Sequence, residues 1–295
     1  MAGSSLRGVA ALGAMLLATI VSTAGCNALE FMPLVTATKT LSEDFKTAAA
    51  PKIIIATFNG TIDVSRGTDD KVVVDVTKSA SGFDQAAAEA NLDNVQVTMV
   101  QKGDTVEITA KKLNNQPGNF GAAVVIAVPR AAELNLRTSN GAVVCESIDG
   151  DIEIHSSNGK LEIVEGRGEL KLDTSNGTIK VDAQDALVNA RTSNGRIEFA
   201  GSLAEGQHKF KTSNGRIEMV LPDDASFRFT GSTSNSRVRC GFPHTSRRSQ
   251  HGRGHLEVTV GGEQKPKCEI VASSSNGSIS LQPASKVEND NDDDN

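Results

Sequence analysis

Hydrophobic and polar residues alternate along this chain in short runs that occur in pairs. Leu170 and Leu172 precede Asn176, and Ile179 and Val181 follow it, with polar residues between the members of each pair. An alternation of period two is typical of a β-strand with one buried face. The pattern therefore predicts two strands for each repeat, one on either side of an Asn-Gly corner.

The corner sequence is Thr-Ser-Asn-Gly or a near copy, and it recurs at an almost constant interval. The main copies are spaced 18, 18, 18 and 20 residues apart and centre on Asn140, Asn158, Asn176, Asn194 and Asn214. Weaker copies centre on Asn59, Asn235 and Asn276. Asn-Gly often marks a hairpin turn, but hairpins do not require the same residue type at the same offset in every unit. Stacked coils do, so the repeat predicts an all-β, parallel β-solenoid with coils of about 18–20 residues.

Each residue type of the corner has an expected structural role. The five main asparagines are predicted to form a hydrogen-bonded ladder along the stack, which we prefer to a ligand-binding or metal-binding stripe because every regular coil carries one. Glycine is expected to supply a positive φ at the corner. The hydroxyl two residues before each asparagine is expected to face inward and to bond to the backbone.

The repeat limits divide the chain into regions. The solenoid is predicted over residues 51–283, with a capping insertion at 84–110 that contains a short helix and a hairpin. The spacing of 41 residues from Asn235 to Asn276 allows either one degenerate coil or a long excursion, and residues 241–265 form the predicted irregular insertion. Residues 284–295 are rich in Asp and Asn and are predicted to be a disordered acidic tail.

The first 25 residues have the pattern of a secretory signal peptide. Arg7 precedes an apolar run, Val9–Val21, which is too short for a membrane-spanning helix. The following Ala24-Gly25-Cys26 resembles a bacterial lipobox, and the resemblance implies that Cys26 becomes a lipid-modified N-terminus. Asn27 after it implies sorting to the outer membrane. The alternative is an ordinary secreted protein cut near Ala24. Residues 26–50 contain no repeat and are predicted to be a tether.

The other three cysteines are assigned by position. Cys240 and Cys268 flank the irregular insertion and are candidates for a disulfide in an oxidising envelope. Cys145 falls in an inward row and is predicted to be a buried free thiol that packs as a small hydrophobe.

Composition and motifs argue against several functions. The formal net charge of −6 disfavours non-specific binding to nucleic acid. The chain has no Trp and no Tyr, which weakens the case for sugar-stacking sites and protein hot spots. No nucleophile elbow, zinc-protease or Cys-x-x-Cys motif occurs, and no cofactor is expected. Parallel β-helices also include polysaccharide lyases and hydrolases, so the outward acids are candidates for catalytic residues. The alternative is a solubilising surface of mixed charge, and we prefer this interpretation. These acids are Glu153, Glu162, Glu198 and Glu218.

One segment stands out by charge. Residues 243–255 carry no acid and contain His244, Arg247, Arg248, His251, Arg253 and His255. The plain interpretation is a solvated loop. The functional interpretation is an anion-binding patch for envelope polysaccharide, lipid headgroups or the acidic tail.

The repeats, together with Val125–Pro129 and Leu134–Gly141, resemble the bacterial putative-adhesin family of domains of unknown function. The resemblance covers roughly residues 50–283. It implies a right-handed parallel β-solenoid in an envelope or surface protein, and it carries no catalytic residues. The expected function is thus that of a non-enzymatic, lipid-anchored envelope protein in adhesion, scaffolding or surface interaction, with envelope polysaccharide or another envelope protein as partner. The alternative is a carbohydrate-active β-helix enzyme.

Overall fold

The structure is a computed structural model that describes residues 16–19, 34–114, 118–246, 254–261 and 266–286. Most of these residues are in β-strands, with one short α-helix, α1 (Gln85–Asn91), followed directly by a 3-10 helix (Leu92–Asn94). The strands are β1 (Leu16–Thr19), β2 (Val35–Lys46), β3 (Lys52–Ala56), β4 (Ile62–Arg66), β5 (Lys71–Gly82), β6 (Val95–Lys102), β7 (Thr105–Lys112), β8 (Phe120–Val128), β9 (Glu133–Asn140), β10 (Val143–Glu146), β11 (Ile152–Asn158), β12 (Leu161–Asn176), β13 (Ile179–Thr192), β14 (Ile197–Leu203), β15 (Gly206–Lys211), β16 (Ile217–Leu221), β17 (Phe227–Thr233), β18 (Val238–Cys240), β19 (Thr245–Ser246), β20 (His255–Val260), β21 (Cys268–Ser274) and β22 (Ile279–Pro283).

The strands stack into two ladders, and most neighbours within a ladder are parallel. Ladder A holds the strands that lead into the Asn-Gly corners, in the spatial order β6, β7, β3, β9, β11, β12, β13, β15, β21, β17, β20, β19. Ladder B holds the strands that leave the corners, in the order β1, β2, β5, β8, β4, β10, β12, β13, β14, β16, β22, β18. The long strands β12 and β13 pass through both ladders. The prediction of an all-β fold of stacked parallel strands is confirmed.

The apolar rows face inward and form one core between the ladders. Leu170 and Leu172 are at most 1% exposed, as are Ile179 and Val181 after the corner. Leu172 aligns with Ile154 in one neighbouring coil. Like positions therefore lie one above another, about 4.8 Å apart along the ladder.

The asparagines form a continuous side-chain ladder. Each Nδ2 donates to the Oδ1 of the asparagine in the next coil at 2.6–2.8 Å, in the order Asn235, Asn276, Asn214, Asn194, Asn176, Asn158, Asn140. Asn59 lies beyond Asn140 and donates instead to the carbonyl oxygen of Phe120. Because the side chains are exposed, each bond competes with water. The ladder therefore contributes more to fixing the register of neighbouring coils than to the free energy of unfolding.

The hydroxyl before each asparagine bonds across to a neighbouring coil. Thr192 Oγ1 donates to the carbonyl oxygen of Gly177 at 3.0 Å, and Thr212 Oγ1 donates to that of Gly195 at 2.9 Å. Among the described copies Ser156 is the exception, because its buried Oγ has no partner. The first residue of the motif thus satisfies a corner carbonyl that would otherwise be orphaned.

The reason for the corner glycine differs from the expected positive φ. Of the motif glycines only Gly141 has a positive φ, and at 158° it is close to extended. What requires glycine is the close approach of successive coils, since a Cβ added at Gly177 would overlap the carbonyl oxygen of Gly159. A Cβ at Gly195 would likewise overlap the carbonyl of Gly177. In the coil of β18 the residue at this position is Ser236, and nothing in the structure explains the substitution.

The coils at both ends are stacked out of chain order. The first corner coil, β3 and β4, lies between the coil of β7 and β8 and the coil of β9 and β10. The last coil, β21 and β22, is inserted between β15–β16 and β17–β18. Of the two alternatives for residues 236–275, the long excursion is the one observed: the chain runs out through β19 and β20 and then returns. Antiparallel strands cover the first end of both ladders and the last end of ladder A. Among the described strands, ladder B ends at β18, which is parallel to β22.

The N-terminal region corrects one prediction. Residues 26–50 were expected to be a tether, but β2 pairs with β5 over its full length, from Val35 opposite Gly82 to Lys46 opposite Lys71. Ala37 and Phe45 of β2 are buried in the core. The strand was missed because it carries no Asn-Gly corner. Within the predicted capping insertion, α1 is capped by Asp84, whose Oδ1 accepts from Ala87 N at 2.7 Å, and β6 and β7 form the expected hairpin.

Candidate functional site at the C-terminal end of the stack

The outer face of ladder B carries ion pairs that run mainly within single strands. The basic residue two positions after the asparagine pairs with the acid two positions further on. The pairs are Lys160–Glu162 at 2.6 Å, Arg196–Glu198 at 3.2 Å and Arg216–Glu218 at 3.1 Å, with Lys180–Glu162 at 3.5 Å joining two coils. Each pair contributes little stability because it is solvent-exposed. Together they leave this face close to neutral.

The coil of β18 breaks this pattern. Arg237 and Arg239 occupy the two positions that hold a base and an acid in the coils of Asn158, Asn194 and Asn214, and both are exposed. Arg239 aligns with Ser280 of β22, and Ser280 aligns with Glu218 of β16. No acidic side chain in the described part of the chain pairs with either arginine.

The alignment creates a depression that we call the terminal trench. Short side chains on β22 lie between long side chains on β16 and β18, whose strands are two ladder steps, or about 9–10 Å, apart. The cavity measures about 620 Å³ and is lined by Arg237, Arg239, Glu218, Ser278, Ser280 and Gln282, with Asn235 and Ser236 beside them. Its groups are guanidinium, hydroxyl and amide, with one carboxylate. It therefore offers mainly hydrogen-bond donors and positive charge.

Two of the four outward acids have pKa values shifted in the direction opposite to that of a glycosidase acid. Glu153 is 2.8 Å from His155 Nε2, and this hydrogen bond is the main cause of a lowered Glu153 pKa. The bond from Lys160 likewise lowers the pKa of Glu162. A glycosidase acid needs a raised pKa and a second carboxyl group across the scissile bond. The terminal trench has a single carboxylate, Glu218, which is paired with Arg216.

The predicted anion-binding patch is only partly described. Arg247, Arg248, His251 and Arg253 lie outside the described residues. His244 Nδ1 is 2.7 Å from the carbonyl oxygen of Phe242, and His255 is exposed on β20 opposite Ser232. The strands that flank the patch, β19 and β20, end ladder A at the same end of the stack as the trench. The patch itself stays a prediction.

The three described cysteines are free thiols, so the candidate Cys240–Cys268 disulfide is not formed. Cys240 aligns with Leu281 in ladder B, whereas Cys268 aligns with Gly206 in ladder A. Burial raises the pKa of all three, that of Cys268 to about 11, which disfavours the thiolate form. The proposed lipid site, Cys26, lies outside the described residues.

His208 is a structural feature whose role the repeat pattern did not reveal. It is fully buried in an inward row, where other coils have an apolar residue. Its Nδ1 accepts from Val188 N at 3.2 Å, and its Nε2 donates to the carbonyl oxygen of Ala204 at 2.9 Å. This coil is two residues longer than its predecessors. The imidazole thus bridges backbone groups where the ladder register is irregular.

The described residues contain no group of three or more His, Cys, Asp and Glu side chains placed to hold a metal ion. Within the same residues, no helix has the length and hydrophobicity needed to cross a membrane.

Residues 57–282 match the model of the Toastrack DUF4097 family. No curated protein matches the chain. Among solved structures, the chain is similar to a putative adhesin from Bacteroides fragilis (15% identity, 82% of this chain and 96% of the other, TM-score 0.42). It is also similar to a putative cell adhesion protein from Clostridium sporogenes (12%, 83% and 99%, TM-score 0.36) and to a putative lipid binding protein from Parabacteroides distasonis (14%, 83% and 94%, TM-score 0.38). Because the family match spans well over half of its residues, the chain belongs to the Toastrack DUF4097 family.

Proposed function

We propose that this protein is a non-enzymatic, lipid-anchored component of the bacterial cell envelope that acts by surface interaction, as an adhesin or a scaffold. The carrying observation is the architecture itself: a long two-ladder stack in which the outward acids Glu162, Glu198 and Glu218 are held in ion pairs. Such a surface suits presentation and contact better than catalysis. Partners are envelope polysaccharide or another envelope protein. Nucleic acid is not an expected partner, given the net charge of −6.

Strand β2, which follows the proposed anchor in the chain, and the terminal trench lie at opposite ends of ladder B. Cys26 precedes Val35, the first residue of β2, by nine positions, which span at most about 30 Å. In ladder B, β2 lies near one end and β18 at the other, ten steps apart, or about 48 Å. A short anchor at the β2 end would place the trench far from the lipid attachment. Asn27 favours the outer membrane as the location.

Cleavage before Cys26 would also change one sheet edge. Strand β1 lies within the predicted signal peptide and pairs with β2 from Leu16 opposite Lys39 to Thr19 opposite Thr36. Its removal would leave β2 as the edge of ladder B, next to the anchor. The proposal therefore places a free strand edge near the membrane.

Fractionation of host cells tests the anchoring. Wild-type protein should enter the membrane fraction with the mass of a lipid-modified N-terminus at Cys26, and Cys26→Ala should not. Several acyl chains are expected because one chain anchors only weakly. A soluble mature wild type that begins elsewhere would overturn the anchor. Release of reducing or unsaturated sugar ends from envelope polysaccharide by purified protein would overturn the non-enzymatic assignment.

A further inference from the structure

We infer that the terminal trench is a binding site for an acidic polysaccharide, with Arg237 and Arg239 as the groups that hold its anionic substituents. This inference rests on the proposed function as a surface-interaction protein. It adds the ligand class and the residues that recognise it.

The charge arrangement is the first argument. Arg237 and Arg239 are two residues apart on one face of β18, so their attachment points are about 7 Å apart. Adjacent like charges are unfavourable, and three other coils avoid them by placing glutamate at the second position. The nearest trench carboxylate, Glu218, is already 3.1 Å from Arg216. Within the described residues, two guanidinium groups are thus left without a carboxylate partner and can bind carboxylates of a ligand.

The shape and polarity of the trench favour a glycan. Ser278 and Ser280 keep the floor low, whereas the equivalent positions on β16 carry Arg216 and Glu218. Hydroxyl and amide groups along the floor, including that of Gln282, can exchange hydrogen bonds with sugar hydroxyls. A volume of about 620 Å³ lies within the range of small-molecule sites. A lipid would need an apolar surface for its chains, and this lining is mostly polar.

The edge of β18 disfavours a peptide partner. β18 is only three residues long, Val238–Cys240, and pairs with β22 alone among the described strands. A strand added there would gain few main-chain hydrogen bonds. Short edges that carry charged side chains are the usual protection against strand addition.

Binding of oligogalacturonate to the purified full chain tests the site, with an uncharged malto-oligosaccharide of equal length as the reference. We expect wild type to bind only the oligogalacturonate, more weakly as salt is raised. Arg237→Ser with Arg239→Ser should weaken binding by about tenfold or more. Ser280→Glu should do the same, because a glutamate there fills the floor and pairs with the arginines. Its fold should be kept, since Glu162, Glu198 and Glu218 occupy the same position in other coils.

The matched control is Arg191→Ser with Lys211→Ser. These exposed cations are cross-strand neighbours on ladder A, outside the trench. Their replacement removes the same charge as the replacement of Arg237 and Arg239. Binding should change by less than about twofold in this control. An equal loss in control and trench variants would show general electrostatics and overturn the site, as would a wild type that binds neither glycan.

Anionic vesicles of phosphatidylglycerol provide the last arm. Arginine-dependent binding to vesicles without binding to oligogalacturonate would overturn the glycan assignment. If the Arg237→Ser, Arg239→Ser variant still binds to isolated cell envelopes as the wild type does, the trench is not the binding site. The proposed function in surface interaction would then still stand.

Discussion

Replacement of Leu172 by alanine tests whether the inward rows form one continuous core. Leu172 is 1% exposed in β12 and aligns with Ile154 on one side and Ala190 on the other. The change removes three buried carbons, worth about 2.4 kcal/mol at ~0.8 kcal/mol each. Ladder hydrogen bonds on both sides hold the backbone in place, so the cavity cannot collapse. The total loss in the free energy of unfolding should therefore be about 3–5 kcal/mol.

Lys171→Ala is the matched control, one residue away on the outer face. Its ammonium group lies 2.9 Å from the carboxylate of Glu169, and the pair is exposed. The expected loss is under ~0.5 kcal/mol. Urea unfolding followed by circular dichroism gives both values, provided that the slope m is unchanged. Equal losses for the two variants would refute the assigned register and with it the continuous core.

Three further predictions address the corner and the buried histidine. Asn176→Ala interrupts the ladder at an exposed position and should cost about 1 kcal/mol in urea unfolding; a loss above that of Leu172→Ala would contradict the minor energetic role assigned to the ladder. Gly177→Ala should cost at least ~2 kcal/mol, because the new Cβ meets the carbonyl oxygen of Gly159, and a neutral effect would disprove the steric explanation. Burial lowers the pKa of His208 in the folded state. Its contribution to the free energy of unfolding is therefore complete above the ordinary pKa of about 6.5. That contribution is lost as the pH falls toward the folded-state pKa, by up to about 1.4 kcal/mol per pH unit. The urea midpoint should therefore fall less between pH 7 and pH 5.5 in His208→Gln than in wild type, and equal falls would count against this role.

The sequence by itself determined the repeating coil. The inward rows, the asparagine row and the hydroxyl row each recur at a constant offset from Asn140 to Asn214, and only translation along a stack brings like positions together. A period-two alternation is a local property, so strands and their buried faces can be predicted without knowledge of the remaining fold.

The tertiary structure decided which coils are neighbours at the two ends. Every coil presents the same asparagine, glycine and apolar rows, so the repeat is compatible with many stacking orders. In the structure β21 and β22 lie between β15–β16 and β17–β18, an order that the repeat itself does not specify. β2 has no corner motif and could be recognised only by its pairing with β5.

The terminal trench depends on the same non-local choice. Ser280 lies between Glu218 and Arg239 only because β22 is inserted between β16 and β18. In the sequence, Arg237 and Arg239 are a visible departure from the base–acid pattern, but nothing nearby shows which side chains face them. The glycine requirement is similar, since it arises from the carbonyl of another coil and not from the φ of the glycine itself. Local periodicity specifies the coil, whereas contacts between distant coils specify the site.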